Sequence, residues 1–176
     1  MKTAVDYDKG PIAVRYPRVN GLGVDIDAEL QPIPIGEWET VQTGDTAALL
    51  AVGPMLQVAA EAGELLKREG LSLRIVNARF IKPLDENMLL RLADERIPLV
   101  VLEEGAQLGG LGSAVLEFYS LHGIHHMDVR IVGIPDAFIE HGSIKEQRAE
   151  AGLTADRVAS VVTQLLPRRK QRATGQ

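Results

Sequence analysis

Three groups of residues have the types and spacing that chemistry could use. The first is Leu99 to Ser113, LVVLEEGAQLGGLGS, where an apolar run of strand length meets the adjacent carboxylates Glu103 and Glu104. Gly109, Gly110, Gly112 and Ser113 follow, before the apolar-periodic AVLEFYSL. Strand, glycine turn and helix in that order could cradle a phosphate, because the free N–H groups at a helix start attract anions. The spacing matches no phosphate motif. Gly105, Gly109, Gly110 and Gly112 do not give G-x-G-x-x-G with an acidic ribose partner about 20 residues on, and no Lys-Ser or Lys-Thr pair follows as in a Walker loop. Two carboxylates at the strand end would also repel a phosphate. A tight turn whose glycines admit a close neighbour is favoured over a ligand site.

The second group is the four histidines, His122, His125, His126 and His141. His125 and His126 with Asp128 have the donor types of a metal site, but adjacent side chains diverge and no third ligand stands at helical spacing. His141 precedes a helix start, where its plainer role is to hold the loop by hydrogen bonds. No Ser-His-Asp arrangement is legible, and G-x-S-x-G is absent. The third group is Arg18, beside Pro17 at a boundary between segments, where small-molecule sites often form. Its guanidinium could clamp a phosphate or a carboxylate bidentately. Arg15, three residues back, is read as a structural partner.

These residues need a scaffold, and 176 residues suffice for one domain, or one domain plus a fragment, with a real core. The chain is 45% hydrophobic and 24% charged, as ordinary soluble proteins are. A net charge of -5 argues against nucleic acid as a partner. With no cysteine there is no disulfide, thiol nucleophile or thiolate metal site, which agrees with a cytoplasmic protein. No apolar run is long enough to span a membrane, and MKTAVDYD contains no signal-peptide core.

Along the chain, Met1 to Asp8 reads as the last turns of a helix cut from something larger. Asp8 to Pro11 reads as a turn and Ile12 to Pro17 as a short strand stopped by proline. Arg18 to Glu37, rich in Gly, Pro and Asp, reads as a linker. Strands are predicted at Trp38 to Gln42, Ala47 to Val52, Leu71 to Phe80, Leu99 to Leu102 and Asp128 to Ile134. A helix starting at Gly53-Pro54 turns Met55, Val58, Ala59, Ala62, Leu65 and Leu66 inward and stops at Gly70. Asp85 caps a helix with Leu89, Leu92 and Ala93 inward, and the helix after the glycines buries Val115, Leu116 and Tyr119. Ser143 to Glu146 has capping-box spacing. Thr154 caps a last helix with Val158, Val161, Val162, Leu165 and Leu166 inward. Strands alternating with helical patterns imply a mainly parallel sheet covered on both faces, a three-layer α/β domain. The basic tail, Arg168 to Gln176, is read as a solvated end rather than a binding arm.

Four motifs then add up. GPIAVRYPR at Gly10 to Arg18, NARFIKPLD at Asn77 to Asp85, EEGxxxGGxGS at Glu103 to Ser113 and GIPDxFIEHGS at Gly133 to Ser143, in that order, resemble the 1-deoxy-D-xylulose-5-phosphate synthases of the transketolase family. The resemblance runs from the first residues to about Leu166. It implies the carboxy-terminal portion of such an enzyme: residues 1–19 the end of a pyrimidine-binding domain, 20–37 a linker, 38–167 a transketolase-like C-terminal domain, and 168–176 the basic tail. It further implies an α/β/α fold with a five-stranded, mostly parallel sheet whose first strand, Trp38 to Gln42, is antiparallel.

The family's full enzyme is implied to be a cytoplasmic homodimer dependent on thiamine diphosphate and magnesium. It joins pyruvate, after decarboxylation, to glyceraldehyde 3-phosphate, giving a precursor of isoprenoids, thiamine and pyridoxal. The family's cofactor-binding motif, its activating glutamate and its catalytic histidines would lie upstream of Met1. The resemblance therefore implies no catalytic, cofactor-binding or metal residue in this chain, and no activity from it alone. It carries over one role, Arg18 as the ligand of the acceptor's phosphate. Val19 stands where the family usually has glycine, which alters the turn and leaves the guanidinium in place. The alternatives are a transketolase or a 2-oxoacid dehydrogenase beta subunit, against which the RFIKPLD and PDxFIEHGS wording argues, or a non-catalytic interaction or anion-binding module. On the synthase reading the glycine stretch is a packing turn near the dimer contact.

Overall fold

In the computed structural model of the chain, the described residues are 1–17, 21, 23 and 29–166. Arg18, Val19 and the tail from residue 167 lie outside them. The run AALLA, Ala47–Ala51 (β2), is fully buried along its length. A strand apolar on both faces must be covered on both, which places it at the centre of a parallel sheet. The sheet has five strands in the order β1-β3-β2-β4-β5, with β1 Glu39–Gln42, β3 Leu73–Asn77, β4 Leu99–Ala106 and β5 Val129–Ile134. Strands β2 to β5 are parallel, in register Ala47↔Leu73 between β2 and β3 and Ala48↔Leu99 between β2 and β4. β1 runs antiparallel to β3. The expected mixed sheet with an antiparallel first strand is the observed one.

Alternate residues of the central strands feed two cores, as the two-residue period of a strand requires. Leu49, Val100 and Leu102 pack with Met55, Ala59 and Leu66 of α2 (Met55–Arg68) and Val158 and Val162 of α6 (Ala155–Leu165). On the other face, Leu50, Leu99 and Val101 meet Leu89 and Leu92 of α3 (Glu86–Asp94) and Leu111, Val115 and Phe118 of α4 (Leu111–Leu121). The result is the predicted α/β/α sandwich. Two short helices complete the described elements, α1 Lys2–Asp6 and α5 Ile144–Glu150.

Local chemistry sets the helix ends. Asp85 accepts the Met88 N–H at 2.9 Å, and its other oxygen accepts the Trp38 N–H at 2.8 Å, so one carboxylate caps α3 and fixes the start of β1. Ser143 and Glu146 form the capping box of α5, and Thr154 caps α6. Gly70 follows α2 at φ +78°, a conformation that glycine adopts without strain.

Some expectations are corrected. Ile12 to Pro17 is not a strand. It is exposed and pairs with no described residue, since a strand needs a neighbour's ladder and the prolines at 11 and 17 have no N–H to offer one. Leu116 does not face inward; at 45% exposure it lies on the outer side of α4, where Phe118 takes the core place. Leu65 and Leu166 are only partly buried. β3 is shorter than the apolar run, and β4 runs four residues past Leu102.

Tyr119 makes the core under α3 and α4 sensitive to alkali. Its hydroxyl donates to the Leu89 carbonyl at 3.0 Å, and burial pushes its pKa above the usual tyrosine value. A folded-state pKa above the unfolded one gives stability that is fully present below about pH 10 and lost as pH rises further. Tyr119→Phe is therefore expected to cost about 1 kcal/mol near neutrality, for the lost hydrogen bond. It should also reduce the fall in urea midpoint between pH 8 and 11; an unchanged fall would count against the assignment.

Candidate functional site

β4 stays a strand through Ala106, so Glu103 and Glu104 project to opposite faces of the sheet. Glu103 turns inward and is 4% exposed. Its Oε2 accepts the Leu111 N–H and its Oε1 the Gly112 N–H, each at 2.9 Å. The start of α4, the place where an anion would sit, is filled by the chain's own carboxylate. Glu104, on the other face, receives the Arg148 guanidinium of α5 at 2.6 Å. The acidic pair is thereby divided between the capping of one helix and the clasping of another.

The glycines between them serve approach. A Cβ on Gly110 would stand 2.5 Å from both the Ala106 carbonyl oxygen and Glu103 Oε2, and one on Gly112 would stand 2.6 Å from the Ile131 side chain of β5. Gly109, at φ +79°, donates its N–H to Ser113 Oγ at 2.8 Å. The stretch is the packing turn expected of it. A cofactor's diphosphate does not fit here, because its space and its donors already belong to Glu103.

Where β4 and β5 end, a cavity of about 370 Å³ opens between Pro17, Glu104, Ile134, Ile139, Ile144 and Arg148, among others. The loop from Pro135 to Gly142 contributes Ile139 to its wall; it leaves β5 where the Gln107 N–H donates to the Ile134 carbonyl at 2.8 Å and is held at Glu140 before α5. The Glu140 N–H donates to Glu150 Oε1 at 3.2 Å, and Gln147 Nε2 donates to the Glu140 carbonyl at 3.1 Å. Ser143 donates both its N–H and its hydroxyl to Glu146, which lowers the pKa of Glu146 below the usual carboxylate value. This contribution is present above the ordinary glutamate pKa and is lost as pH falls through the lowered one. These bonds hold the loop that His141 was expected to hold; His141 is exposed. Phe138, at the loop's tip, is fully exposed.

The remaining sequence-predicted residues are not gathered into one site. His122 Nδ1 lies 2.8 Å from the Phe118 carbonyl, with its ring stacked on Phe118 at 4.1 Å, and His126 Nε2 lies 3.0 Å from the Ala93 carbonyl. His125 and Asp128 are exposed, and no group of three metal donors occurs among the described residues. Arg15 is exposed. Arg18 is outside the described residues, while Pro17, immediately before it, lines the cavity.

One residue that the motifs contain was not singled out from sequence. Arg79, just past β3, donates to the Glu37 carbonyl at 3.3 Å and pairs with Glu39 at 3.5 Å. Its Nε is buried without a hydrogen-bond partner, alone in this among the described side chains. A cation directly after an apolar strand was the available signal.

The sequence family described as "Transketolase, C-terminal domain" matches residues 36–158. The 1-deoxy-D-xylulose-5-phosphate synthase of Geobacillus thermodenitrificans is 50% identical over 171 residues, 97% of this chain and 27% of that protein. The synthase of Brevibacillus brevis is 52% identical over 167 residues, 95% of this chain and again 27% of the relative. This chain thus spans 27% of the length of these curated relatives. A solved structure titled "Split gene transketolase, inactive beta4 tetramer" superposes with a TM-score of 0.71 at 29% identity, over 86% of this chain and 46% of that one. Fold, family match and relatives agree, and the chain belongs to the transketolase C-terminal domain family.

Proposed function

We propose that this chain is the carboxy-terminal part of a 1-deoxy-D-xylulose-5-phosphate synthase. The observation that carries this is the identity of about half the residues with named synthases along nearly the whole chain. The complete enzyme would join pyruvate, with loss of CO2, to glyceraldehyde 3-phosphate. Thiamine diphosphate and Mg2+ would be bound by residues outside this chain, a reading supported by the glycine turn being filled by Glu103. We divide the chain into residues 1–19 from the preceding domain, a linker at 20–37, the C-terminal domain at 38–167 and a basic tail at 168–176, in a cytoplasmic homodimer. The transketolase alternative rests on a 29% likeness and is weaker.

Arg18 is the proposed ligand of the acceptor's phosphate. Arg18→Ala in the complete synthase is expected to remove a charged hydrogen-bonding pair worth on the order of 1.5–3 kcal/mol. It should raise KM for glyceraldehyde 3-phosphate roughly tenfold or more and leave an unphosphorylated aldehyde little affected. Equal effects on both acceptors would remove the role. The 176-residue chain alone is expected to show no turnover with pyruvate and glyceraldehyde 3-phosphate. That the β tetramer of the structural relative is titled inactive supports this; measurable synthase activity from the isolated chain would refute it.

A further inference from the structure

A fully exposed phenylalanine on a loop held at both ends is costly to leave in water and pre-organised to bind. Phe138 is in that position, between the Gln107 bond to the Ile134 carbonyl at the end of β5 and the Glu150 and Gln147 bonds to Glu140 just before the capping box of α5. It does not stand alone. Ile139 and Ile144 line the adjacent cavity with Pro17, and Ile144 remains 43% exposed. Tyr16, next to Pro17, is 80% exposed, and Leu108 is 71% exposed in the turn whose neighbour Gln107 bonds the Ile134 carbonyl. Pro17, Ile139 and Ile144 thus share the cavity where β4 and β5 end, with the exposed Tyr16 and Phe138 next to them in the chain and Leu108 two residues past β4.

We propose that this face is a docking surface for the rest of the synthase polypeptide, with Phe138 as the aromatic anchor that enters an apolar pocket there. The inference rests on the synthase reading above. Two observations choose the occupant. The chain accounts for 27% of the length of its synthase relatives, so most of such an enzyme is polypeptide that this domain must meet. Its amino-terminal segment also reaches the face itself, because Pro17 forms one wall of the cavity beside Ile139 and Ile144. The segment assigned to the end of the preceding domain therefore already meets the surface to be covered at Pro17. Aromatic residues held rigidly at the centre of an interface carry a large share of binding energy, which suits Phe138 better than the scattered exposed leucines of α4.

The chain contains no cysteine, so Phe138→Cys introduces its only thiol. Leu121→Cys, at an 86% exposed position on the last turn of α4, is the control. Each variant is made in the 176-residue chain and in a complete synthase built by joining this chain to the remainder of the Geobacillus thermodenitrificans relative. Alkylation by iodoacetamide is followed by peptide mass spectrometry. Thiol reactivity depends on access, so the Phe138→Cys site should label about tenfold or more slowly in the joined protein than in the chain, while the Leu121→Cys site should change little. Equal rates for the Phe138→Cys site in both proteins would overturn the proposal. So would slowing of both sites alike, which would mean general shielding. Protection of the Phe138→Cys site that already grows with concentration in the isolated chain would instead assign the face to a second copy, and overturns it too. Turnover of the joined protein with pyruvate and glyceraldehyde 3-phosphate reports separately on the synthase reading, so the two can fail independently.

Discussion

Glu103→Ala is expected to destabilise the chain by about 4 kcal/mol. The substitution removes the shared acceptor of the Leu111 and Gly112 N–H groups. Each buried donor left without a partner costs about 1–3 kcal/mol, and the vacated volume adds a cavity term. For a domain of this size such a loss corresponds to a fall in Tm of roughly 10 °C. In urea the midpoint should drop while the slope holds, the signature of lost stability without a changed unfolded state. Glu103→Gln should fall between, because its amide keeps one acceptor and turns an NH2 towards the other donor. Arg148→Ala sets the scale on the opposite face. The Glu104–Arg148 pair is partly exposed, and removing it should cost no more than about 1 kcal/mol. A loss below about 1 kcal/mol for Glu103→Ala would mean that the start of α4 is held by something else.

The second large effect is expected at Gly110. Its φ of -86° is open to any residue, so the whole cost of Gly110→Ala is steric. The new methyl would stand 2.5 Å from the Ala106 carbonyl oxygen at the end of β4 and 2.5 Å from Glu103 Oε2. A backbone oxygen at a strand end has little room to withdraw, and we expect a loss of about 3 kcal/mol. Gly109→Ala is the informative neighbour. Space there is open, but φ is +79°, so the cost is the left-handed conformation alone, about 1–2 kcal/mol. The two large effects should also couple. With Glu103 already truncated, one of the two collisions at Gly110 disappears, so Glu103→Ala/Gly110→Ala should lose less than the two singles together. Strict additivity, read from urea midpoints of the four proteins, would show that the methyl does not meet the carboxylate.

Much of the fold was legible because its signals are local. The apolar run at Ala47 to Val52, the caps Asp85, Ser143 and Thr154, and the helix stop at Gly70 each depend on residues within a turn or two, and each appears where expected. The antiparallel first strand came from the family resemblance, since nothing in Trp38 to Gln42 itself states a direction. Ile12 to Pro17 misled because its composition suits a strand, yet strand character is completed by a neighbour that no described residue supplies. Leu116 misled because helical periodicity leaves two adjacent faces open, and the packing partner chose Phe118.

At the candidate site the divide is sharper. From residue order alone follow the strand–turn–helix at Leu99 to Ser113, the failure of every phosphate motif there, and the synthase-like wording that singles out Arg18. Only the tertiary structure separates Glu103 from Glu104, sending one to the Leu111 and Gly112 N–H groups and the other to Arg148 on a distant helix. It alone leaves the Arg79 Nε without a partner and turns Phe138 outward from a pinned loop. The physical reason is range. Turn, cap and strand preferences are decided by neighbours along the chain, whereas the partner of a side chain is decided by whichever element the sheet brings against it.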